Sequence, residues 1–430
     1  MKIKFIKQSC YKLTTFMKDR AMTDKTTKKR TSRYEVKSSK PIPELHQGCY
    51  HVLNAENGRG KTHYLNVVSK SILRDLNLKY KEECLDKSLN SPNLICLSGT
   101  CFDKFDKYAT FKAYLNKNER ANCFYYYTGY SKNNNSFSPQ IPFRTLFEVL
   151  ANSFNKNSLT NLDERIWFLA EKLVELKFKN YLKVFFQKTE AIKGKKKTED
   201  YLKVSLKNSN NIIELFKKIK GDSKSDNNAL EIQDIEFYKD DVSGVTIFNL
   251  SSGEYAFLRA LFTLCLAVNE NSYIIYDEPE NSLHPEWQSR LIKYIIEIVN
   301  KFGKGATILI ATHSPLITAS FSVENIKILE YSDNDTFKFQ WVDYKYYGWS
   351  ANLILTEQFD LYSARPTNFI EKFNAILRSY QENRWDDLDM AIKELEKQKN
   401  FHLSDKDTLS LTFEAIKEEL AKYKQGKLND

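Results

Sequence analysis

The feature that most constrains the fold of this chain is a glycine-containing segment between an apolar strand and a helix. The run GCYHVLN (48–54) predicts a buried strand, and THYLNVVSKSILRDL (62–76) predicts the following helix. Between them lies AENGRGKT (55–62), called the phosphate loop below. Glycines at 58 and 60 let successive backbone N–H groups curl around a phosphate, and the helix N-terminus adds partial positive charge. The order of strand, loop and helix therefore predicts a site for nucleotide phosphates.

The residue types of the phosphate loop suggest a role for each position. Lys61 is expected to reach the β- and γ-phosphates of ATP, and the Thr62 hydroxyl to ligate Mg²⁺. Ala55 stands where the first glycine is usual; alanine fits if its φ is negative, so we expect weakened or unaltered binding rather than loss. The residues expected to bind ATP in this loop are Asn57, Gly58, Arg59, Gly60, Lys61 and Thr62.

Two acidic residues and a histidine follow later apolar strands. Asp277 and Glu278 end the run YIIYDE (273–278), at the strand edge where ligands gather in α/β folds. Asp277 is expected to hold Mg²⁺ through water, and Glu278 to orient or deprotonate the attacking water. His313, after the strand ATILIAT (306–312), could contact the γ-phosphate. An acidic pair after a strand is often only a turn, and a lone histidine is usually structural. The roles of Asp277, Glu278 and His313 are therefore assigned from their positions directly after apolar strands.

A fourth motif precedes a long apolar helix. It comprises Leu250, Ser251, Ser252, Gly253 and Glu254, called the signature segment below. One interpretation is a helix N-terminus that offers its hydroxyl and N–H groups to the γ-phosphate bound by another subunit. The other is a plain serine N-cap with Glu254 completing a capping box.

Alternating strands and helices predict an α/β core with a mixed, mainly parallel sheet. Periodicity predicts helices over 160–220, whereas 105–158 reads as more loop than regular structure, and only helices are predicted after 350. The predicted organisation is a basic flexible arm, a first part of the ATPase core, an insert with a helical lobe, a second part of the core, and a C-terminal helical region. These cover 1–40, 41–104, 105–244, 245–350 and 351–430.

The positive charge is concentrated near the N-terminus. Residues 1–40 hold 13 Lys and Arg against three Asp and Glu, so they account for the whole net charge of +10. A second basic stretch, 176–224, holds 14 lysines against five acids. Either stretch could follow a nucleic-acid backbone, although lysine-rich solvated surfaces are common. No apolar run is long enough to predict a membrane span, and no secretory signal is recognisable, so we expect a cytoplasmic protein.

The four motifs, in the order 55, 250, 277 and 313, resemble the ABC ATPase superfamily. DEPENSLHP and THSP resemble its soluble RecF, SMC-type and OLD-family branch, and GWSANLILTEQFDLYSARP resembles PtuA-type ATPases of Septu and retron antiphage systems. The resemblance implies that two copies pair head to tail, with ATP between the phosphate loop of one and the signature segment of the other. It further implies a D-loop at Ser282, Leu283 and His284, a Q-loop residue at Gln140 that contacts nucleotide and metal, and Tyr34 against adenine.

The same resemblance implies a separate HNH-type nuclease as partner, docked on the C-terminal helices. The acidic cluster Asp333-Asn334-Asp335 looks like a turn, so no intrinsic nuclease activity is expected. The alternatives are a DNA repair or recombination clamp of the RecF kind, the nucleotide-binding subunit of a transporter, and a scaffold that barely hydrolyses ATP.

Overall fold

The computed structural model describes residues 45–54, 60–82, 92–100, 105, 125–129, 138–153, 161–188, 200–220, 230–240, 243–332, 338–358, 365–398, 401–404 and 407–429. They divide into two compact units, one within Pro41–Asp360 and one within Leu361–Asp430. The basic arm at 1–40, Tyr34, residues 55–59 and Asp333–Asp335 lie outside the described residues. No described helix is long and apolar enough to cross a membrane.

The described strands and helices are as follows. The strands are β1 (Tyr50–Asn54), β2 (Leu94–Ser98), β3 (Tyr125–Thr128), β4 (Tyr181–Lys188), β5 (Asp200–Ser205), β6 (Leu230–Tyr238), β7 (Gly244–Thr246), β8 (Tyr273–Asp277), β9 (Thr307–Thr312), β10 (Ile326–Ser332) and β11 (Lys338–Asp343). The helices are α1 (Lys61–Glu82), α2 (Gln140–Ser153), α3 (Leu162–Glu175), α4 (Asn210–Lys220), α5 (Ser252–Ala267), α6 (Pro285–Phe302), α7 (Pro315–Ala319), α8 (Ala351–Gln358), α9 (Thr367–Gln381), α10 (Trp385–Glu396) and α11 (Thr408–Asn429).

The main sheet has the strand order β11-β10-β1-β9-β8-β2-β3. All neighbours in it are parallel except the edge pair β10–β11. The expected mixed, mainly parallel sheet is thus confirmed. Side chains alternate between the two faces of the sheet along each strand, and both faces are covered by helices. Val52 belongs to the core that contains α5 and α6, whereas Leu53 belongs to the core that contains α1.

A second, antiparallel sheet has the order β5-β4-β6-β7. The prediction of helices over 160–220 is wrong for 181–188 and 200–205, which form strands, whereas α3 and α4 are helices as predicted. Leu182, Val184 and Phe186 are buried at a period of two, which is the strand pattern. Helix α3 ends where the left-handed Lys177 (φ 64°) lets the Phe178 N–H donate to the Leu173 carbonyl at 2.8 Å.

The stretch 105–158 also differs from its prediction as mostly loop. It supplies β3, an edge strand of the main sheet, and α2, whose apolar side chains join the main core. The aromatic run at 125–127 is buried rather than exposed, so its tyrosines are core residues of a strand.

The unit within Leu361–Asp430 is helical where described, which confirms the predicted helical C-terminal region. Helices α9, α10 and α11 share an apolar core of their own, which includes Phe373, Leu388 and Ile416. Arg365 donates to both carboxylate oxygens of Asp407 at 2.7 and 2.8 Å. This unit therefore has its own packing.

A buried histidine on β1 makes the stability of the core depend on pH. His51 is fully buried; its Nδ1 contacts the Ile308 carbonyl oxygen at 3.1 Å and its Nε2 accepts the His46 N–H at 3.0 Å. This pattern requires a neutral ring, and burial lowers the His51 pKa from 6.5 to about 4.

We expect the free energy of unfolding to fall as the pH drops through this window. The folded-state pKa lies below the unfolded one, so the unfolded chain binds the extra proton between pH 6.5 and about 4. Relative to His51→Phe, the wild-type chain should lose up to about 3 kcal/mol across this interval, measured by urea denaturation. His402→Gln, which replaces an exposed histidine, is the control and should keep the wild-type slope. An unchanged slope in His51→Phe would contradict the expectation.

Candidate functional site

The carboxyl ends of three neighbouring parallel strands bring the predicted residues together. Strand β1 leads into the phosphate loop, β8 ends at Asp277, and β9 ends at Thr312, directly before His313. In the register, Asn54 lies opposite Thr312, and Asp277 lies opposite Ala311. Because parallel strands meet at a common edge, segments far apart in sequence converge there.

The described end of the phosphate loop has the backbone its sequence predicts. Gly60 has φ +85°, a conformation that L-residues rarely adopt. Its carbonyl accepts the Tyr64 N–H at 2.9 Å, so the turn passes directly into α1. Lys61 is buried and Thr62 is half-buried at the start of this helix. Of the residues expected to bind ATP, Asn57, Gly58 and Arg59 lie outside the described residues.

Lys61 contacts His313 across the edge of the sheet. Its ammonium lies against Nε2 of the imidazole and 3.5 Å from Nδ1. Burial lowers the pKa of Lys61, while the carboxylates of Glu278, Asp277 and Glu280 act in the opposite direction. Burial also lowers the pKa of His313, and the charge of Lys61 lowers it further. A neutral imidazole that accepts from the ammonium fits both shifts.

The two predicted acids occupy different environments. Asp277 is fully buried. Glu278 is a quarter exposed, and its Oε1 lies 3.6 Å from His313 Nε2. Asn281 donates its side-chain amide to Glu278 Oε2 at 2.8 Å, which orients this carboxylate. Asp277 is therefore suited to hold a cation in a water-poor position, and Glu278 to meet a water molecule at the surface.

The turn after β8 is fixed by the end of β2. The Gly99 N–H donates to the Asp277 carbonyl at 2.8 Å. A Cβ at position 99 would lie 2.0 Å from the Glu278 carbonyl oxygen, so only glycine fits without displacing the turn. Glu278 itself has φ 48°, a left-handed conformation that is uncommon outside glycine.

Glu280 is a site residue that the sequence motifs do not predict. Its carboxylate accepts the His313 N–H and, at 2.8 Å, the Thr312 hydroxyl. Burial raises the pKa of Glu280 against the effect of these hydrogen bonds. It joins the loop after β8 to the end of β9 and positions His313. The sequence signal for it is a second glutamate two residues after Glu278, in the loop after β8. The strand next to β8 in the sheet, β9, ends at Thr312, directly before His313.

The signature segment begins α5 with a complete capping box. The Glu254 N–H donates to Ser251 Oγ at 3.3 Å, and the Ser251 N–H donates to the Glu254 carboxylate at 3.0 Å. Leu250 is buried, whereas Ser251 and Ser252 are exposed. The capping interpretation is therefore correct as a description of this helix end. It leaves open what the exposed N-terminus binds.

The residues predicted to form the D-loop lie beside the signature segment. A Cβ on Gly253 would lie 2.7 Å from the Ser282 carbonyl oxygen, so the two segments pack closely. Ser282 is exposed with φ 67°, and Leu283 is buried. His284 caps α6, its Nδ1 accepting the Glu286 N–H at 3.4 Å.

Gln140 is the first residue of α2. Its Oε1 is buried and has no hydrogen-bond partner within the described part of the chain. The Tyr255 hydroxyl donates to the Pro139 carbonyl at 3.0 Å, so α5 holds the segment that precedes Gln140. A buried oxygen without a partner suits a polar ligand or a metal ion.

These residues fit a nucleotide with Mg²⁺. Lys61 supplies a buried cation at a helix start, and Asp277 supplies a buried carboxylate at the next strand end but one. No group of three or more His, Cys, Asp or Glu among the described residues is arranged to hold a metal by itself. The donor set therefore matches a cation that takes part of its coordination from phosphate oxygens and water, as Mg²⁺ commonly does.

Comparison with known proteins supports an ATPase. Residues 117–319, just under half of the chain, match the family model described as "AAA domain, putative AbiEii toxin, Type IV TA system". This segment contains the signature segment, Asp277, Glu278 and His313, and it begins after the phosphate loop.

One curated relative is the Septu protein PtuA of Bacillus thuringiensis, which is 30% identical over 112 residues. The matched segment covers 25% of this chain and 27% of PtuA, about a quarter of each. The solved SmcHead bound to the C-winged helix domain of ScpA matches 27% of this chain and 34% of that one, at 17% identity and a TM-score of 0.22. A similarity at that level fixes neither fold nor function. The family match, PtuA and the sheet together support an ABC-like ATPase that resembles PtuA.

Replacing the Glu278 carboxylate should slow ATP hydrolysis without preventing nucleotide binding. In Glu278→Gln the amide cannot accept a proton from water, so we expect the turnover rate to fall at least about tenfold, or ~1.4 kcal/mol in barrier. Phosphate release and the binding of a fluorescent ATP analogue measure the two properties. Glu286→Gln, which alters an exposed carboxylate paired with Arg290 on α6, is the matched control and should behave as wild type. Turnover at the wild-type rate in Glu278→Gln would exclude this role.

Proposed function

We propose that this protein is an ABC-type ATPase whose nucleotide state controls a separate nuclease in antiphage defence. The observation that carries the ATPase part is the meeting of Lys61, Glu278 and His313 at one edge of the sheet. Support for the defence part comes from the similarity to PtuA, a Septu protein. Only about a quarter of PtuA is matched, so the similarity does not by itself transfer a defence role to this chain. That role is part of the proposal.

ATP would bind with its β- and γ-phosphates at Lys61 and the loop before it. Phosphate oxygens would take the place that His313 now occupies against the ammonium, which would release the imidazole toward the γ-phosphate. Thr62, Asp277 and Gln140 are the residues proposed to hold Mg²⁺. When bound, this ion would neutralise charge that develops on the phosphate oxygens.

Glu278 would position the attacking water and accept its proton as the water oxygen bonds to the γ-phosphorus. The bond from the γ-phosphorus to the bridging oxygen breaks, and ADP and inorganic phosphate leave. Asn281 fixes the glutamate for this task. Glu280 holds the backbone of His313, so it acts as a positioning residue rather than on the water.

Two copies would form the complete site. The signature segment has no catalytic group that serves its own chain, but it offers an exposed helix N-terminus. In a head-to-tail dimer, this N-terminus would face the γ-phosphate bound by the other copy. Each interface would then contain two equivalent sites, and hydrolysis would require pairing.

Mixing two inactive variants should restore activity if the site is shared between copies. Lys61→Ala removes the phosphate contact, and Ser252→Arg obstructs the signature segment. Half of the freely exchanged dimers are mixed and each has one intact site of two, so we expect about a quarter of the wild-type turnover. A mixture of Lys61→Ala with Glu278→Gln is the control, because both changes damage the same half-site and no intact site forms. Failure of the first mixture to recover would contradict a shared site.

The control of a nuclease is tested by what the chain binds. Purified with the products of its neighbouring genes in the presence of ATP, the full chain should carry a stoichiometric HNH-type nuclease. Removal of residues 366–430 should abolish this association and leave nucleotide binding intact, because that unit has its own core.

A point variant sharpens the test of this docking surface. Leu411 on α11 is 74% exposed, so Leu411→Asp should weaken the association without unfolding the helices. Lys422→Gln, an exposed change on the same helix, is the control. A dimer that carries DNA and no nuclease would contradict the regulatory role and favour the RecF-like clamp instead.

A further inference from the structure

One face of the antiparallel sheet packs against the apolar core, and the other face does not. Leu182, Val184 and Leu202 point into the apolar core, where Ile212 and Phe216 of α4 cover them. The alternate residues form the opposite face, called the aromatic–lysine face. It consists of Tyr181, Lys183, Phe185, Tyr201, Lys203 and Tyr238, with Glu236 opposite Lys183 and Asp234 opposite Phe185 on β6.

The pairing of β4 with its neighbours arranges this face in rows. Phe185 lies opposite Tyr201, with ring centroids 5.9 Å apart. The next row outward in the same register pairs Lys183 with Lys203. Beyond it, the ring of Tyr181 lies 4.8 Å from that of Tyr238. Two aromatic rows therefore flank a row that contains two lysines.

The lysines stay close to the rings. Lys203 Nζ lies 4.3 Å from the centroid of Tyr181, and Lys183 Nζ lies 5.5 Å from that of Tyr201. The carboxylate of Glu236, opposite Lys183 on β6, accepts the Tyr238 hydroxyl and lies 3.7 Å from the Lys183 ammonium. Lys203 is exposed, toward the edge of the sheet away from Glu236. The outer part of the face thus combines an exposed positive charge with aromatic rings.

The contacts of the lysines with the rings and of Lys183 with Glu236 stabilise part of this arrangement, but not all of it. Two lysines directly opposite each other on neighbouring strands repel and destabilise a sheet. Tyr201 is 54% exposed, so its ring gains only part of the stabilisation of a buried aromatic. Strands β4 and β5 also lie in the stretch 176–224, with 14 lysines against five acids. The two acids of this face, Glu236 and Asp234, lie on β6, so its β5 side carries the exposed Lys203 and Tyr201 away from them. An exposed lysine beside an exposed ring is a candidate for nucleic-acid binding.

We infer that the aromatic–lysine face binds single-stranded nucleic acid, with bases stacked on Tyr201 and Phe185 and phosphates beside Lys203 and Lys183. Every base has a face that can stack on an aromatic ring, and lysines follow the backbone charge. A duplex keeps its base faces stacked inside and cannot use the rings. DNA and RNA share this chemistry. The inference goes beyond the proposed ATPase and does not depend on it.

The inference is tested with fluorescently labelled single strands of about 20 nucleotides, one of DNA and one of RNA, and a duplex of the same length. Anisotropy titrations of the full chain should give tighter binding of a single strand than of the duplex. Tyr201→Ala combined with Phe185→Ala should weaken it at least about tenfold, whereas Tyr201→Phe keeps the ring and should retain most of it. The preferred strand distinguishes DNA from RNA as the ligand.

Salt dependence separates the lysines from the rings. Lys203→Gln should reduce the slope of log affinity against log salt by about 0.7, the value for one phosphate contact on a single strand. The double aromatic variant should lower affinity with little change in this slope. An unchanged slope in Lys203→Gln would remove this lysine from the site.

A matched control is available on α3. Trp167 is 59% exposed, and Lys301 lies 5.8 Å from its ring centroid, but it is not on the aromatic–lysine face. Trp167→Ala should bind as wild type, and unchanged thermal unfolding of each variant excludes a folding defect. Equal binding of duplex and single strand would overturn the inference. So would affinity that survives the aromatic changes and is lost only when residues 1–40 are removed.

Discussion

The burial of the Lys61 ammonium is the interaction on which the arrangement of the site depends. A buried charge needs compensation, and here it comes from His313 and from the carboxylates of Asp277, Glu278 and Glu280. These groups come from three segments of the chain, and Lys61 and His313 are more than 200 residues apart in sequence. Only the adjacency of β1, β9 and β8 in a parallel sheet brings them to one edge. A register slip of one residue on β9 would turn its side chains to the other face and separate the group.

The sequence predicts those parts of the site that depend on local order along the chain. Lys61, Asp277 and His313 each follow a recognisable apolar strand, so their position at the sheet edge follows from the strand alone. Glu280 was missed because its role depends on where Thr312 lies in space. The second sheet was missed for a local reason. Helix α3 ends in a left-handed lysine instead of glycine, and without that signal the strands read as more helix.

Helix α5 contacts several elements of the unit within Pro41–Asp360. It is buried along its length from Tyr255 to Ala267, so it cannot bend or slide without repacking the core. Arg259 on this helix donates to the carbonyl of Ser98 at the end of β2, and Tyr255 donates to the carbonyl before Gln140. At its N-terminus, Glu254 pairs with Lys239, which follows β6 of the second sheet. A displacement of the exposed end of α5 would therefore disturb these contacts together.

The capping box and the proposed contact with another copy use different groups of the same helix end. An α-helix leaves its first N–H groups without partners inside the helix. The capping box satisfies those of Ser251 and Glu254, and the Ser251 hydroxyl is turned inward to the Glu254 carboxylate at 2.9 Å. Among the described residues no hydrogen bond uses the N–H groups of Ser252 and Gly253 or the Ser252 hydroxyl, so these are the groups proposed to meet a phosphate. Ser251 holds the helix end in shape, and its neighbours are the residues suited to meet the nucleotide of another copy.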